Sequence, residues 1–68
     1  MIHFSATDIK INNLVDYIKE CKGIIDIPTR RLLINEVTGV FLQRYDKITA
    51  PIMARLFIDR CIEENLAK

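Results

Sequence analysis

Apolar residues recur at helical spacing in three stretches of the chain, and residues that start or stop helices bound each stretch. In the first stretch polar residues occupy one side, and the other carries a stripe of Ile11, Leu14, Val15, Ile18 and Cys21. Gly23 follows at the position where a left-handed residue commonly ends a helix. The pattern predicts a first helix over residues 7–21 with one buried face.

The second stretch begins at Pro28, whose ring fixes φ near the helical value and which has no amide proton to leave unsatisfied. Asp26 or Thr29 is expected to cap this helix. Its main stripe comprises Leu33, Ile34, Val37, Val40, Phe41 and Tyr45. We predict a second helix over residues 28–45, and we expect the three isoleucines that precede it, Ile24, Ile25 and Ile27, to pack across the end of the bundle.

The second helix carries a further set of residues outside its main stripe: Leu32, Asn35, Gly39 and Leu42. Their spacings of 3, 4 and 3 are typical of a helix that packs against a partner. Gly39 costs about 1 kcal/mol relative to Ala inside a helix, which indicates either a close backbone approach or a local break. The alternative is that Leu32 and Leu42 are isolated surface leucines and that Gly39 is a tolerated weak point.

The third stretch starts with Thr49 as the expected cap and Pro51 in the first turn. It predicts a third helix over residues 51–66. The core-facing stripe is Ala54, Phe57, Ile58, Cys61 and Ile62. Ile52, Met53 and Leu56 lie outside that stripe, near the start of the helix.

Together these elements predict an all-α, three-helix unit that forms a single domain over residues 1–68. Residues 1–4 are expected to be a mobile or strand-like arm, and the role of His3 within it is left open. Half of the 68 residues are apolar, and a chain this short has difficulty burying all of its apolar helix faces. We therefore expect dimerisation to complete the fold.

Charge and cysteine content narrow the possible partners. The chain has ten Lys and Arg and nine Asp and Glu. It therefore lacks the strong basic excess of a nucleic-acid-binding protein and the acidic excess of a protein that mimics DNA.

Cys21 and Cys61 are expected to be buried free thiols inside the helical stripes. Because no apolar run approaches the ~18 residues of a membrane helix and the N-terminus has no signal-like apolar segment, we expect a soluble, cytoplasmic protein. The polar side of the third helix carries Asp59, Glu63 and Glu64, which an anionic membrane surface would repel, so we expect no membrane binding.

The sequence contains no recognisable arrangement of catalytic residues. His3 is the only histidine, the two cysteines are far apart, and neither a metal-ligand spacing nor a glycine-rich phosphate loop is present. We predict a protein that is not an enzyme and that uses no cofactor, no metal and no small-molecule substrate.

The apolar surplus on the second and third helices instead predicts a small regulatory or inhibitory protein, of the kind found in bacteria or phages. It would act as a homodimer and bind another protein. The predicted protein-binding residues are Leu32, Asn35, Gly39, Leu42, Ile52, Met53 and Leu56.

The alternative function is that of a dimeric DNA-binding transcriptional regulator of the helix-turn-helix type, since residues 46–49 have the length of such a turn. Two features argue against it. The arginines are spread over two helices, and Ile52, Met53 and Leu56 stand where polar side chains would read bases.

Overall fold

The protein consists of three α-helices, seen in a computed structural model that describes residues 6–67 and, from residue 10 onwards, their side chains. The helices are α1 (Ala6–Glu20), α2 (Ile27–Phe41) and α3 (Thr49–Leu66), and no strand occurs within residues 6–67. The predicted all-α, three-helix class is confirmed. The expected arm at residues 1–4, with His3, lies outside the described residues.

The end of α1 follows the predicted glycine signal. Gly23 has a φ of 77° and its amide donates to the Ile18 carbonyl at 3.1 Å. Lys22, just before it, also has a positive φ, of 56°. Two consecutive left-handed residues therefore turn the chain sharply out of α1.

Asp26 is the cap of α2, because its carboxylate accepts a hydrogen bond from the Thr29 amide at 3.0 Å. The predicted end of this helix at residue 45 is wrong, since α2 ends at Phe41. The amides of Gln43 and Arg44 donate to carbonyls only three residues back, at 3.2 and 2.9 Å, so the last turn tightens and the helix stops.

The predicted start of α3 is also displaced, because the helix begins at Thr49 rather than at Pro51. Asp46, not Thr49, supplies the side-chain acceptor at this end. Its carboxylate accepts from the amides of Ile48 at 3.0 Å and Thr49 at 2.6 Å. These bonds satisfy amides that have no partner within the helix, which lets α3 begin two residues early.

The core lies where the three predicted stripes meet. Ile18, Val37 and Ile58 are its largest fully buried side chains, with Leu33, Ala54 and Ile62 beside them. Most of the packing is between α2 and α3, while α1 covers the cluster from one side. Ile25 packs against this core as expected, but Ile24 and Ile27 are exposed, so the predicted packing of all three isoleucines is wrong.

Two ion pairs join the helices at the periphery of the core. Lys10 Nζ lies 2.6 Å from a Glu36 carboxylate oxygen and links α1 to α2, and Arg30 pairs with Asp59 and links α2 to α3. The principal extents of the molecule are 34 × 30 × 17 Å. Since a helix with its side chains is about 10–12 Å across, so thin an arrangement leaves large helix faces uncovered.

Candidate protein-binding surface

The α2 outer face, which we define as Leu32, Asn35, Gly39 and Leu42, points away from the core. All four residues are exposed, and 64% of Leu32 is accessible to solvent. The buried residues of α2 lie on the other side of the helix, as a rotation of 100° per residue requires. This face is therefore an exposed surface of the single chain.

Gly39 makes no close approach to the other described parts of its chain. A Cβ atom added there would meet no heavy atom within 4 Å among the described residues outside its own helical turn. Gly39 is thus not needed for packing of α2 against α1 or α3. No described residue of the chain makes the close approach that its presence predicts.

The three predicted residues of α3 divide between two surroundings. Met53, which is half-buried, and Leu56, which is 58% exposed, line a groove of about 340 Å³ between α2 and α3. Ile52 is exposed but does not line this groove. The α2 outer face does not line it either, so the seven predicted residues form more than one surface.

An aromatic cluster forms one wall of the groove, which we call the α2–α3 groove. The Phe41 ring meets the Tyr45 ring edge-on with centroids 5.6 Å apart, and it meets the Phe57 ring edge-on at 6.0 Å. Such edge-to-face pairs hold the rings in defined positions. The groove therefore offers a preformed apolar surface, with Arg60 at its border.

Sequence reasoning placed Phe41, Tyr45 and Phe57 in core stripes and did not predict their part in the groove. Tyr45 lies beyond the observed end of α2, in the turn toward α3, and it is exposed. A stripe that is extrapolated past a helix end assigns such a side chain to the wrong face. The tightening of the chain after Phe41 is what brings Tyr45 to the groove.

A second concave surface carries positive charge. Arg30, Arg31 and Arg55 line a cleft of about 450 Å³ together with Ile27 and Ile34. These arginines are spread over two helices, as the sequence indicates, and packing of α2 on α3 brings the three to one cleft.

The charges of this cleft are only partly balanced. Arg30 pairs with Asp59, and Arg55 Nε lies 3.9 Å from an oxygen of the same carboxylate. Arg31 makes no ion pair with any side chain that the structure describes. The cleft therefore carries more positive than negative charge.

The two thiols are less buried than the sequence predicts. Cys21 and Cys61 are free and half-buried, and burial is the main cause that raises the pKa of Cys61, with the nearby Glu64 adding to it. Among the side chains that the structure describes, no three of His, Cys, Asp or Glu are grouped as a metal site requires. A raised pKa makes a thiol less, not more, nucleophilic at neutral pH.

No protein-family model, curated protein or solved structure matches this chain. None of the described helices combines the length and the apolar character that crossing a bilayer demands.

Proposed function

We propose that the protein is a small regulatory or inhibitory module that acts as a homodimer and binds another protein through the apolar faces of α2 and α3. One observation carries this proposal: large apolar side chains on these two helices and at the C-cap of α2 remain in contact with water, among them Leu32, Leu42, Ile52 and Leu56. Extended exposed apolar surfaces are characteristic of interaction sites.

The free energy gained by burying these side chains can be compared with the cost of association. Full burial of a Leu or Ile side chain stabilises by about 1.5–3 kcal/mol, so covering the exposed half of each of these four contributes roughly 1 kcal/mol apiece. Association costs on the order of 4 kcal/mol or more in lost freedom of motion. The four aliphatic residues therefore only offset that cost, and a stable complex with another protein also needs the aromatic α2–α3 groove as an anchor.

Self-association is tested by molar mass. Light scattering on the purified chain should give about 16 kDa, twice the 7.9 kDa of the monomer. The melting temperature should rise with protein concentration, because a homodimer couples folding to association. A mass of one chain with concentration-independent melting would show that no homodimer forms.

Partner binding is tested by capture from a lysate of the native cell with surface variants. Leu32→Asp with Leu42→Asp removes the α2 outer face, and Leu56→Asp disrupts the α2–α3 groove. Both variants should lose a protein that the wild type retains, because each places a charge in an apolar contact.

Ile24→Asp is the matched control for this capture. Ile24 is equally apolar and 77% exposed, but it lies in the turn between α1 and α2, away from both surfaces. It should capture the protein as well as the wild type does. Equal capture by all four chains would mean that neither surface binds the partner.

A second candidate function is DNA binding by a dimer of the helix-turn-helix type, which the cleft of Arg30, Arg31 and Arg55 favours. Fluorescence anisotropy with random duplex DNA at low salt tests it, since phosphate contacts weaken steeply as salt rises. Arg31→Gln should weaken such binding, whereas Arg60→Gln, outside the cleft, should not. Absence of binding at low salt would exclude this candidate.

A further inference from the structure

One side of α3, which borders the contact with α2, carries a symmetric pattern: an acidic residue at the centre, residues of opposite charge on either side of it, and an apolar residue at each end. The residues concerned, which we call the α3 outer stripe, are Ile52, Arg55, Asp59, Glu63 and Leu66. At 3.6 residues per turn they fall within an arc of about 80°. Asp59 is their midpoint, because Arg55 and Glu63 lie four residues on either side of it and Ile52 and Leu66 lie seven residues on either side.

This pattern is complementary to itself when two copies of α3 run antiparallel. With a twofold axis at Asp59, Arg55 of one copy faces Glu63 of the other, and Ile52 faces Leu66. A rise of 1.5 Å per residue separates positions 55 and 63 by about 12 Å and positions 52 and 66 by about 21 Å, so all four contacts fit one helix pair. Twofold symmetry makes each contact occur twice.

The residues of the stripe are available for such contacts. Ile52 is 55% exposed and Leu66 is 56% exposed, with one side of Leu66 lying against Gly23 in the turn after α1. The Arg55 side chain is 74% exposed and lies 3.9 Å from Asp59, which is too long for a hydrogen bond. Glu63 is exposed and forms no ion pair within the part of the chain that the structure describes. Both charges are therefore open to a closer partner on a second molecule.

Two Asp59 side chains would meet at the axis, and the fold compensates for their repulsion. Each Asp59 is paired with Arg30 of its own chain, and its side chain is only 29% exposed. The axis thus carries two ion pairs rather than two bare carboxylates. Arg30 approaches from α2, so this compensation exists only once α2 and α3 have packed.

We infer that the second copy of the chain docks antiparallel on the α3 outer stripe, held by two Arg55–Glu63 ion pairs and by Ile52 against Leu66 at each end. The inference rests on the homodimer of the proposed function and assigns its surface. The α2 outer face and most of the α2–α3 groove then stay open for a different protein.

Charge exchange between two variants tests the arrangement. Arg55→Glu and Glu63→Arg each place like charges opposite each other twice in a homodimer, so each should raise the dimer dissociation constant by about tenfold or more in sedimentation equilibrium at low salt. Mixing the two variants in equal amounts should restore a dimer, formed by one chain of each variant. In this mixed dimer the glutamates at positions 55 and 63 of one chain face the arginines at positions 63 and 55 of the other. Dimerisation should also return in the double variant that carries both changes, since its charges are exchanged and remain complementary.

Two controls test whether a loss of dimer comes from the α3 outer stripe rather than from misfolding or from a general change of charge. Arg60→Glu, on the same helix but outside the stripe, should leave the dimer unchanged, and circular dichroism should show equal helicity for every variant. Misfolding of a single variant would not be repaired by mixing. A dimer that persists in both single variants, or a mixture that stays monomeric, would overturn the inference.

The result also distinguishes failure of the inference from failure of the proposed function. If Gly39→Leu lowers the dimer fraction while both charge variants stay dimeric, the homodimer stands but uses the α2 outer face. If the wild-type chain is itself monomeric, the homodimer of the proposed function is wrong, and the inference is wrong with it.

Discussion

The turn after α1 allows a sharp prediction, because Gly23 is required there for two separate reasons. Its φ of 77° lies in the region that costs other L-residues about 1–2 kcal/mol. A Cβ atom at this position would also lie 2.7 Å from the Ile62 carbonyl oxygen and 3.0 Å from the Leu66 amide nitrogen, both in the backbone of α3. A helix backbone cannot yield as a side chain does, so the overpacking adds about 1–3 kcal/mol.

Gly23→Ala is therefore expected to lower the free energy of unfolding by about 2–5 kcal/mol. A chain of this size has a total stability of roughly 3–10 kcal/mol, so the loss is large. Gly39→Ala is the matched control: no atom lies within 4 Å of its added Cβ, and it should stabilise α2 by about 0.8–1 kcal/mol.

Urea unfolding followed by circular dichroism at one fixed protein concentration measures both changes. The two glycine-to-alanine substitutions should move the midpoint in opposite directions. A Gly23→Ala chain as stable as the wild type would refute the close contact between the end of α1 and the last turns of α3.

Three further predictions follow from local geometry. Lys22→Gly should stabilise by about 1 kcal/mol in the same urea assay, because Lys22 has a φ of 56°. The hydrogen bond from the Thr49 backbone amide lowers the pKa of Asp46. The ionised carboxylate therefore stabilises the fold above the ordinary Asp pKa, and this stabilisation is lost as the pH falls through the lowered pKa. Asp46→Asn keeps an acceptor without the titration and should show a smaller loss of melting temperature below about pH 4. Cys61 should react with a thiol reagent more slowly in the folded protein than in denaturant, and equal rates would contradict its raised pKa.

Local patterns in the sequence are enough to predict the number of helices and most of the residues that face the core. Apolar spacing, the left-handed Gly23 and the Asp26 cap act within one or two turns, so they can be interpreted without knowing where the other helices lie. The buried residues Ile18, Val37 and Ile58 all belong to predicted stripes for this reason.

Helix ends were less predictable, because competing local bonds decide them. The apolar stripe of α2 continues to Tyr45, yet the helix ends at Phe41, where backbone hydrogen bonds to carbonyls three residues back begin. The Asp46 side chain accepts hydrogen bonds that let α3 start early. Apolar spacing carries no information on which of these bonds forms.

The candidate surfaces were decided by the tertiary structure. Exposure of the α2 outer face was predicted from spacing, but the α2–α3 groove and the grouping of Arg30 with Arg55 depend on how α2 crosses α3. A crossing angle results from the packing of many side chains at once, so no single helical pattern contains it. Sequence spacing therefore located the uncovered apolar residues, and only packing showed which of them share a surface.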